Sequence, residues 1–176
     1  MQQLQSEMIQ LGMESTVIAL DRVQKPTTLG NTLHFRACVV LGNGSGVAGY
    51  SIRKAPTVVE AIQRATRRAY RDIVHVDRHD QRTLFHEVVG RFNKCKVTIR
   101  PTGRGRSTRA GDVVGTVLDY FGIDDVTAKC HGQRNPFTVI KASFDALAQH
   151  ESAEEFAMRT GRSIAQIRKV AYRRRL

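Results

Sequence analysis

The chain has 176 residues and carries 28 Lys and Arg against 16 Asp and Glu, a formal net charge of +12. An apolar fraction of 41% with four prolines excludes a disordered or low-complexity protein, and no apolar run reaches the roughly 18 residues that span a bilayer. The basic excess indicates a polyanionic partner. Arginine outnumbers lysine 21 to 7, and its planar fork of donors grips phosphate bidentately.

The charge is distributed unevenly along the chain. Residues 1–21 have a balance of −3, residues 22–109 of +13, residues 110–158 of −5 and residues 159–176 of +7. A protein that needs only solubility requires no such segregation. We therefore expect a long basic surface, an acidic segment and a basic tail.

Cysteine and histidine usage indicates neither a disulfide framework nor a metal site. Three cysteines cannot all pair within one chain, so a reducing compartment is the default. Zinc is disfavoured because no C-x-x-C accompanies the pairs His75/His79 and Cys130/His131. Residues 1–16 have neither a basic residue nor an apolar core, which fits neither a secretory signal nor an arginine-rich transit peptide; a longer precursor stays open.

The first half of the chain predicts three strands followed by one helix. The strands are expected at 17–20, 33–41 and 47–52, with a loop at 22–31 and a glycine-rich hairpin turn at 42–46. Period-two alternation makes the second of them a half-buried strand. Thr57 and Glu60 form a capping box, and apolar residues at helical spacing extend the helix to Val76. Residues 77–82 read as a linker.

The second half predicts strands interleaved with helices. The strands are expected at 84–89, 95–100 and 126–130. An apolar stripe marks a helix that ends at Gly122, and Asn135 with Pro136 opens the next one. Further capping boxes at Ser152/Glu155 and Ser163/Gln166 predict short C-terminal helices.

Residues 101–111 form a Gly/Arg loop that suggests anion binding. Glycines let backbone N–H groups approach an anion, and arginines surround the loop. We interpret it as a phosphate clamp, with a solvated connector as the alternative. No Gly-Lys-Ser/Thr closes the loop, so it is not a Walker P-loop, and a kinase-like nucleotide site is the weaker alternative. The arginines are Arg100, Arg104, Arg106 and Arg109.

The predicted helix carries arginines on one face, just after the basic pair Arg53 and Lys54. Residues three and four apart share one side of a helix, and an ordinary solvent face interleaves Glu with Lys. Here the nearby acids are Glu60 and Asp72, so we favour contact with an RNA backbone. The arginines are Arg64, Arg67, Arg68 and Arg71.

No constellation in the sequence requires catalysis. An enzyme needs a nucleophile beside a base, or paired carboxylates in a cleft. The doublet Asp124-Asp125 follows the helix-ending Gly122 and therefore reads as a turn.

From about residue 17 to residue 166, the order and spacing of motifs resemble the family of bacterial-type small-subunit ribosomal proteins numbered five. The resemblance implies an α+β protein of two small domains. Residues 15–80 would be like a double-stranded RNA-binding domain (β-β-β-α), residues 82–150 a β-α-β-α unit, and residues 151–176 a helical basic extension. The matching residues include Gly42-Asn43-Gly44, Gly49-Tyr50, Lys54-Ala55, His86, Gly90, Arg100-Pro101, Ala110-Gly111, Asp125-Val126, Ala128-Lys129 and Asn135-Pro136.

The resemblance also implies a non-enzymatic constituent of the small ribosomal subunit, without a cofactor. Such a protein binds ribosomal RNA and the neighbouring proteins numbered four and eight, near the messenger RNA entry path, and influences decoding accuracy. Residues 101–115 would lie toward neighbour four and residues 135–165 toward neighbour eight, with Gly111, Asp112 and Asn135 as protein contacts. The expected RNA-binding residues are Arg22, Lys25, Arg53, Lys54, Arg64, Arg68, Arg100, Arg104, Arg106 and Arg109.

The chain departs from the family pattern at several positions. Ser51 and Arg53 stand where the family has glycines, and serine is tolerated there if φ is negative. The loop at 23–32 has lost most of the basic residues that the family carries. Together with the added arginines of the Gly/Arg loop, this divergence predicts a mitochondrial ribosome, with a plastid or bacterial cytoplasmic ribosome as the alternative. An extraribosomal double-stranded RNA binder and a sugar or lipid kinase are the alternative functions.

Overall fold

Seven strands and four helices make up residues 11–28 and 30–165, the part of the chain that the computed structural model describes. This arrangement confirms the predicted α+β class. None of the helices in this part is both long enough and apolar enough to cross a membrane. The elements are β1 (Glu14–Thr27), β2 (Gly30–Gly42), β3 (Val47–Ala55), α1 (Val58–Arg71), β4 (Ile73–His75), β5 (Val88–Phe92), β6 (Cys95–Pro101), α2 (Asp112–Phe121), β7 (Val126–Gly132), α3 (Pro136–Ala148) and α4 (Ala153–Thr160).

The first sheet has the strand order β1-β2-β3-β4, and every pair of neighbours is antiparallel. Helix α1 packs on one face, where Ala37 and Leu41 are buried. On the other face, Cys38 and Val40 join the core of the second half of the chain. The prediction that β2 is half-buried was wrong, because the second half covers the face that alternation assigned to solvent.

The predicted loop at 22–31 was also wrong. Strands β1 and β2 pair along this stretch, with Thr27 opposite Gly30. Pro26 suggested a break, but β1 is an edge strand, where the missing N–H of proline removes no ladder hydrogen bond that the sheet needs. The segment is therefore a long hairpin arm.

Helix α1 is shorter than its apolar spacing predicted. It ends at Arg71, and Ile73–His75 forms β4 beside β3, which makes the first half β-β-β-α-β. The side chains of Ile73 and Val74 are β-branched and fit a strand better than a helix terminus. Helical periodicity alone could not separate the two structures.

The second sheet has the order β5-β6-β7, again antiparallel throughout. Helix α3 packs on its inner face, and α2 and α3 lie side by side between the two sheets. A Cβ at Gly90 would lie 2.0 Å from the Ala142 carbonyl oxygen, so the glycine permits the close approach of α3. The predicted strand at 84–89 was placed too early, because the chain pairs only from Val88 and turns at residues 93–94.

The helix-end predictions for the second half are confirmed. Gly122 ends α2 in the left-handed region at φ 66°, and Asn135 caps α3 through its side chain. Ser152 and Glu155 form both bonds of a capping box at α4. The predicted box at Ser163/Gln166 lies partly outside the described residues.

The two sheets join through the turn at 42–46 and the segment that was predicted as a linker. The N–H groups of Gly44 and Gly46 donate to carbonyls at the end of α2, over 3.0 and 2.9 Å. The Arg78 guanidinium bridges the Gly44 and Gly122 carbonyls at 3.2 and 2.8 Å. The molecule therefore consists of four layers, in the order α1, the first sheet, the helices α2 and α3, and the second sheet. The domain boundaries at residues 80–82 and 150–151 stay a prediction.

Candidate nucleic-acid interface

The end of β3 and one face of α1 enclose an open groove of about 720 Å³, which we call the arginine groove. The N-cap at Thr57 starts the helix just after β3, and this short connection places Arg53 and Lys54 beside the helical arginines. Its walls are therefore almost entirely basic. The lining residues are Ile52, Arg53, Lys54, Arg64, Arg67, Arg68 and Arg71.

The two acids near this groove each pair with an arginine one helical turn away. Glu60 holds Arg64, and Asp72 accepts from Arg68 Nε at 2.5 Å. The Glu60 carboxylate faces Arg64. Of the predicted capping box, the structure keeps the bond in which the Thr57 hydroxyl accepts from the Glu60 N–H. Two of the predicted RNA ligands are thus partly neutralised by exposed pairs, each worth about 0.5 kcal/mol.

Three further cations of the groove have no such carboxylate partner among the described residues. Within residues 11–28 and 30–165, no carboxylate lies within 4.0 Å of the charged atoms of Arg53, Lys54 or Arg71. All three residues are exposed. The structure therefore favours Arg53 and Lys54 among the predicted ligands, together with Arg71 of the predicted arginine face.

The Gly/Arg loop folds around a buried carboxylate. Asp125 Oδ2 accepts from Gly105 N at 3.2 Å and Oδ1 from Ser107 N at 3.1 Å, while Arg82 Nη1 lies 2.7 Å from Oδ2. Two of the loop N–H groups that were expected to face a phosphate are therefore bonded to this carboxylate. The clamp therefore stays a prediction that rests mainly on the arginine side chains, and Asp125, which the sequence placed in a turn, is a buried anchor of the loop.

Asp125 remains ionised despite its burial. Burial acts to raise the pKa of this carboxyl, but hydrogen bonds from Arg82 and from the Gly105 and Ser107 N–H groups outweigh it. The pKa of Asp125 therefore lies below its ordinary value of 3.8. Its backbone carbonyl also accepts from the Thr83 hydroxyl at 2.6 Å, so one residue ties the loop to the segment after β4.

The arginines of the Gly/Arg loop differ in their surroundings. Arg100 pairs with Glu87 at 3.0 Å. Arg104, Arg106 and Arg109 are exposed, and among the described residues none has a carboxylate within 4.0 Å. The fixed loop backbone thus presents three cations to solvent.

The remaining predicted RNA ligands, Arg22 and Lys25, lie on the long hairpin arm. They are exposed and stand opposite Phe35 and Thr32 in the register of β1 and β2. They belong to a different part of the molecule from the Gly/Arg loop, which extends from the second sheet. The structure therefore spreads the predicted RNA ligands over three regions.

The three predicted protein contacts are exposed residues at helix starts. Gly111 and Asn135 are the N-caps of α2 and α3, and Asp112 is the first residue of α2. Gly111 and Asp112 line a second groove of about 650 Å³, together with Arg109, Lys129, Cys130 and Arg134 among others.

The described residues contain no group of three or more His, Cys, Asp and Glu side chains placed to hold a metal ion. Cys38 and Cys95 are buried free thiols, and Cys130 is a half-buried one. Burial raises the pKa of Cys38 to about 12, so this thiol stays protonated.

Sequence reasoning missed Asp125 and underrated Arg71. The signal for Asp125 was an acid placed between a helix-ending glycine and a strand. The signal for Arg71 was its place on the same helical face as Arg64 and Arg68, seven and three residues after them.

The fold and the surfaces described above define an α+β protein of two sheets with several exposed clusters of cations. Residues 13–77 match the profile described as Ribosomal protein S5, N-terminal domain, and residues 90–160 match Ribosomal protein S5, C-terminal domain. The chain belongs to the ribosomal protein S5 family. This membership confirms the resemblance seen in the sequence and the expectation of a structural, non-enzymatic protein.

Bacterial relatives match most of the chain. Small ribosomal subunit protein uS5 of Magnetococcus marinus is 37% identical over 152 residues, which cover 86% of each protein. The protein of the same name from Granulibacter bethesdensis is 38% identical over 151 residues, 86% of this chain and 80% of the relative. That of Cereibacter sphaeroides is 37% identical over 153 residues, 87% and 82% of the two chains.

Proposed function

We propose that this chain is a structural constituent of the small ribosomal subunit and acts in translation by holding ribosomal RNA in place. The observation that carries the RNA assignment is the arginine groove, whose lining is six basic residues and one isoleucine. A wall of cations with two nearby acids suits closely spaced phosphates.

Rigid placement of the charges is the mechanism. Helix α1 packs on the first sheet through Ala61, Ala65 and Ala69, so the groove arginines project from a fixed frame. Phosphate contacts of this kind position a protein on RNA without reading its sequence. Arg22 and Lys25 on the hairpin arm, and the arginines of the Gly/Arg loop, supply further contacts in this proposal.

Protein neighbours complete the proposal. The groove at Gly111 and Asp112 and the start of α3 at Asn135 are the surfaces we assign to neighbouring small-subunit proteins, those numbered four and eight. A position near the messenger RNA entry path and an influence on decoding accuracy belong to the same proposal.

A mitochondrial ribosome is the finer location we propose, on the strength of the arginines added to the family pattern. The relatives described above are bacterial, and a bacterial ribosome is the alternative. Sedimentation of mitochondrial and cytosolic lysates tests this, and recovery of the chain with cytosolic small subunits would reject the mitochondrial assignment.

The test of RNA binding is the salt dependence of association with small subunits assembled without this chain. We expect the logarithm of affinity to fall linearly with the logarithm of salt concentration. The combined variant Arg53→Ala/Lys54→Ala/Arg71→Ala should reduce that slope by about two to three, since each lost phosphate contact contributes about 0.7 to 0.9.

The matched control keeps the charge. Arg53→Lys/Arg71→Lys should retain most of the slope, because lysine still neutralises phosphate as a point charge. A wild-type slope near zero would reject RNA binding altogether. A normal slope in the alanine variant would reject the groove as the contact.

A further inference from the structure

The outer face of the second sheet carries an ordered array of cations, most of which were not among the predicted RNA ligands. Side chains alternate along each strand, so one set packs under α3 and the other points away from the protein. The inward positions of β6 are buried and include Val97 and Ile99. The outward set includes Arg91, Lys96, Thr98, Arg100, Lys129 and His131.

The strand register brings these groups together. Arg91 stands opposite Lys96, and Lys96 stands opposite His131, so one row crosses all three strands. Adjacent strands lie about 4.8 Å apart, which places the row within about 10 Å. In the next row, Thr98 stands opposite Lys129.

The array lacks internal compensation. Like charges that face each other across two strands are destabilising. The Glu87 carboxylate forms a salt bridge with Arg100. Within the described residues, no carboxylate lies within 4.0 Å of the charged atoms of Arg91, Lys96 or Lys129. The protein therefore retains a repulsion that an external polyanion would relieve.

The position of this face among the four layers is also informative. The arginine groove lies beside α1, the outermost layer at one end of the molecule, whereas the array lies on the outermost layer at the other end. The two surfaces cannot serve one continuous strip of contacts. They suit two separate polyanionic segments.

We propose that the outer face of the second sheet is an independent contact for the backbone of an RNA helix, an inference that rests on the proposed ribosomal function. A protein partner is disfavoured because interface cores are depleted in charge and enriched in aromatic residues, and this face has none. It also lacks the Phe, Tyr or Trp side chains on which single-stranded binders commonly stack successive bases. The cations can neutralise phosphates, and the Thr98 hydroxyl can donate to them.

A photoreactive side chain at the centre of the array tests the contact directly. The variant Thr98→p-benzoylphenylalanine would be incorporated into small subunits and irradiated. We expect a covalent adduct with ribosomal RNA. An adduct with a ribosomal protein alone, or no RNA adduct at all, would overturn the proposal.

The second measurement is association of a charge-removing variant with small subunits assembled without this chain. Arg91→Ala/Lys96→Ala/Lys129→Ala should lower the salt slope by about two to three and weaken binding about tenfold or more. The charge-retaining variant Arg91→Lys/Lys96→Arg/Lys129→Arg should bind like wild type. Thermal unfolding of both variants establishes that they are folded.

The two proposals fail in different ways. If the array variant binds like wild type while Arg53→Ala/Lys54→Ala/Arg71→Ala binds weakly, the outer face is not an RNA contact and the proposed function stands. If wild type itself shows no salt-dependent association, the proposed function fails first.

Discussion

Asp125 shows how one side chain determines a loop that looks unstructured in the sequence. Its carboxylate accepts from the Gly105 and Ser107 N–H groups and pairs with Arg82. Gly105, at φ 78°, and Ser107, at φ 58°, both lie in the left-handed region, which turns their N–H groups toward the carboxylate. The loop arginines therefore extend from a fixed backbone.

We predict that Asp125→Asn lowers the melting temperature by several degrees and opens the loop to trypsin at Arg104 and Arg106. The amide removes the charge that Arg82 and the loop N–H groups stabilise. Thermal unfolding and limited proteolysis check this. Asp124→Asn, at an exposed neighbouring carboxyl, is the control, and equal losses in both variants would contradict the role given to Asp125.

The same carboxyl sets a pH dependence. Because the folded-state pKa of Asp125 lies below the ordinary 3.8, its contribution to stability is complete above about pH 3.8. That contribution is lost as the pH falls below 3.8 and through the folded-state pKa. Wild type should therefore lose stability over this acidic range more steeply than Asp125→Asn.

At the scale of elements, glycines set how closely the helices approach the sheets. A Cβ at Gly49 would lie 2.4 Å from the Ala69 carbonyl oxygen of α1, and one at Gly90 would lie 2.0 Å from that of Ala142 in α3. Real Cβ atoms do not reach such distances, so either substitution must push a helix away from its sheet. The backbones therefore pack almost in contact at these two points.

We predict that Gly90→Ala lowers the free energy of unfolding by about 1–3 kcal/mol, since α3 must shift. Gly115→Ala is the matched control, because its Cβ meets nothing within 4 Å inside a helix. Alanine should stabilise that helix by about 0.5–1 kcal/mol. Denaturant titration measures the free energy of unfolding of both variants. An unchanged value for Gly90→Ala would contradict the close packing of α3 on the sheet.

At the scale of the whole molecule, β2 is the shared centre of the fold. Its residues Ala37–Leu41 are buried, with alternate side chains facing α1 and the layer that contains α2 and α3. A single apolar cluster includes Val40 from the first sheet and Val97 and Phe121 from the second half. The two basic surfaces are consequently held in one relative orientation.

We predict one cooperative unfolding transition, reported alike by amide exchange in β2 and in β6. Val40→Ala should lower the stability of both sheets by about 2 kcal/mol, because the cavity opens in their common core. Val59→Ala is the control, since Val59 is 65% exposed. Two separable transitions would contradict the shared core.

The local signals in the sequence were sufficient for most elements. Alternation located β2, and the glycine-rich hairpin turn located β3. Caps located the starts of α1, α3 and α4, and Gly122 located the end of α2. The lengths of the elements were less predictable. Pro26 indicated a loop where the chain forms the hairpin arm, and Ile73 and Val74 continued the helical spacing of α1 although they belong to β4. These residues satisfy two local patterns equally well, and strand pairing decides between them.

The sequence by itself determined that the chain is a basic α+β protein of the S5 family, because these properties depend on composition, spacing and local caps. The tertiary structure alone decided which cations are available. It paired Arg64 with Glu60, Arg68 with Asp72 and Arg100 with Glu87. It also directed the N–H groups of the Gly/Arg loop to Asp125 and aligned cations across the second sheet. Charge is a property of residues, whereas its compensation depends on contacts between residues distant along the chain.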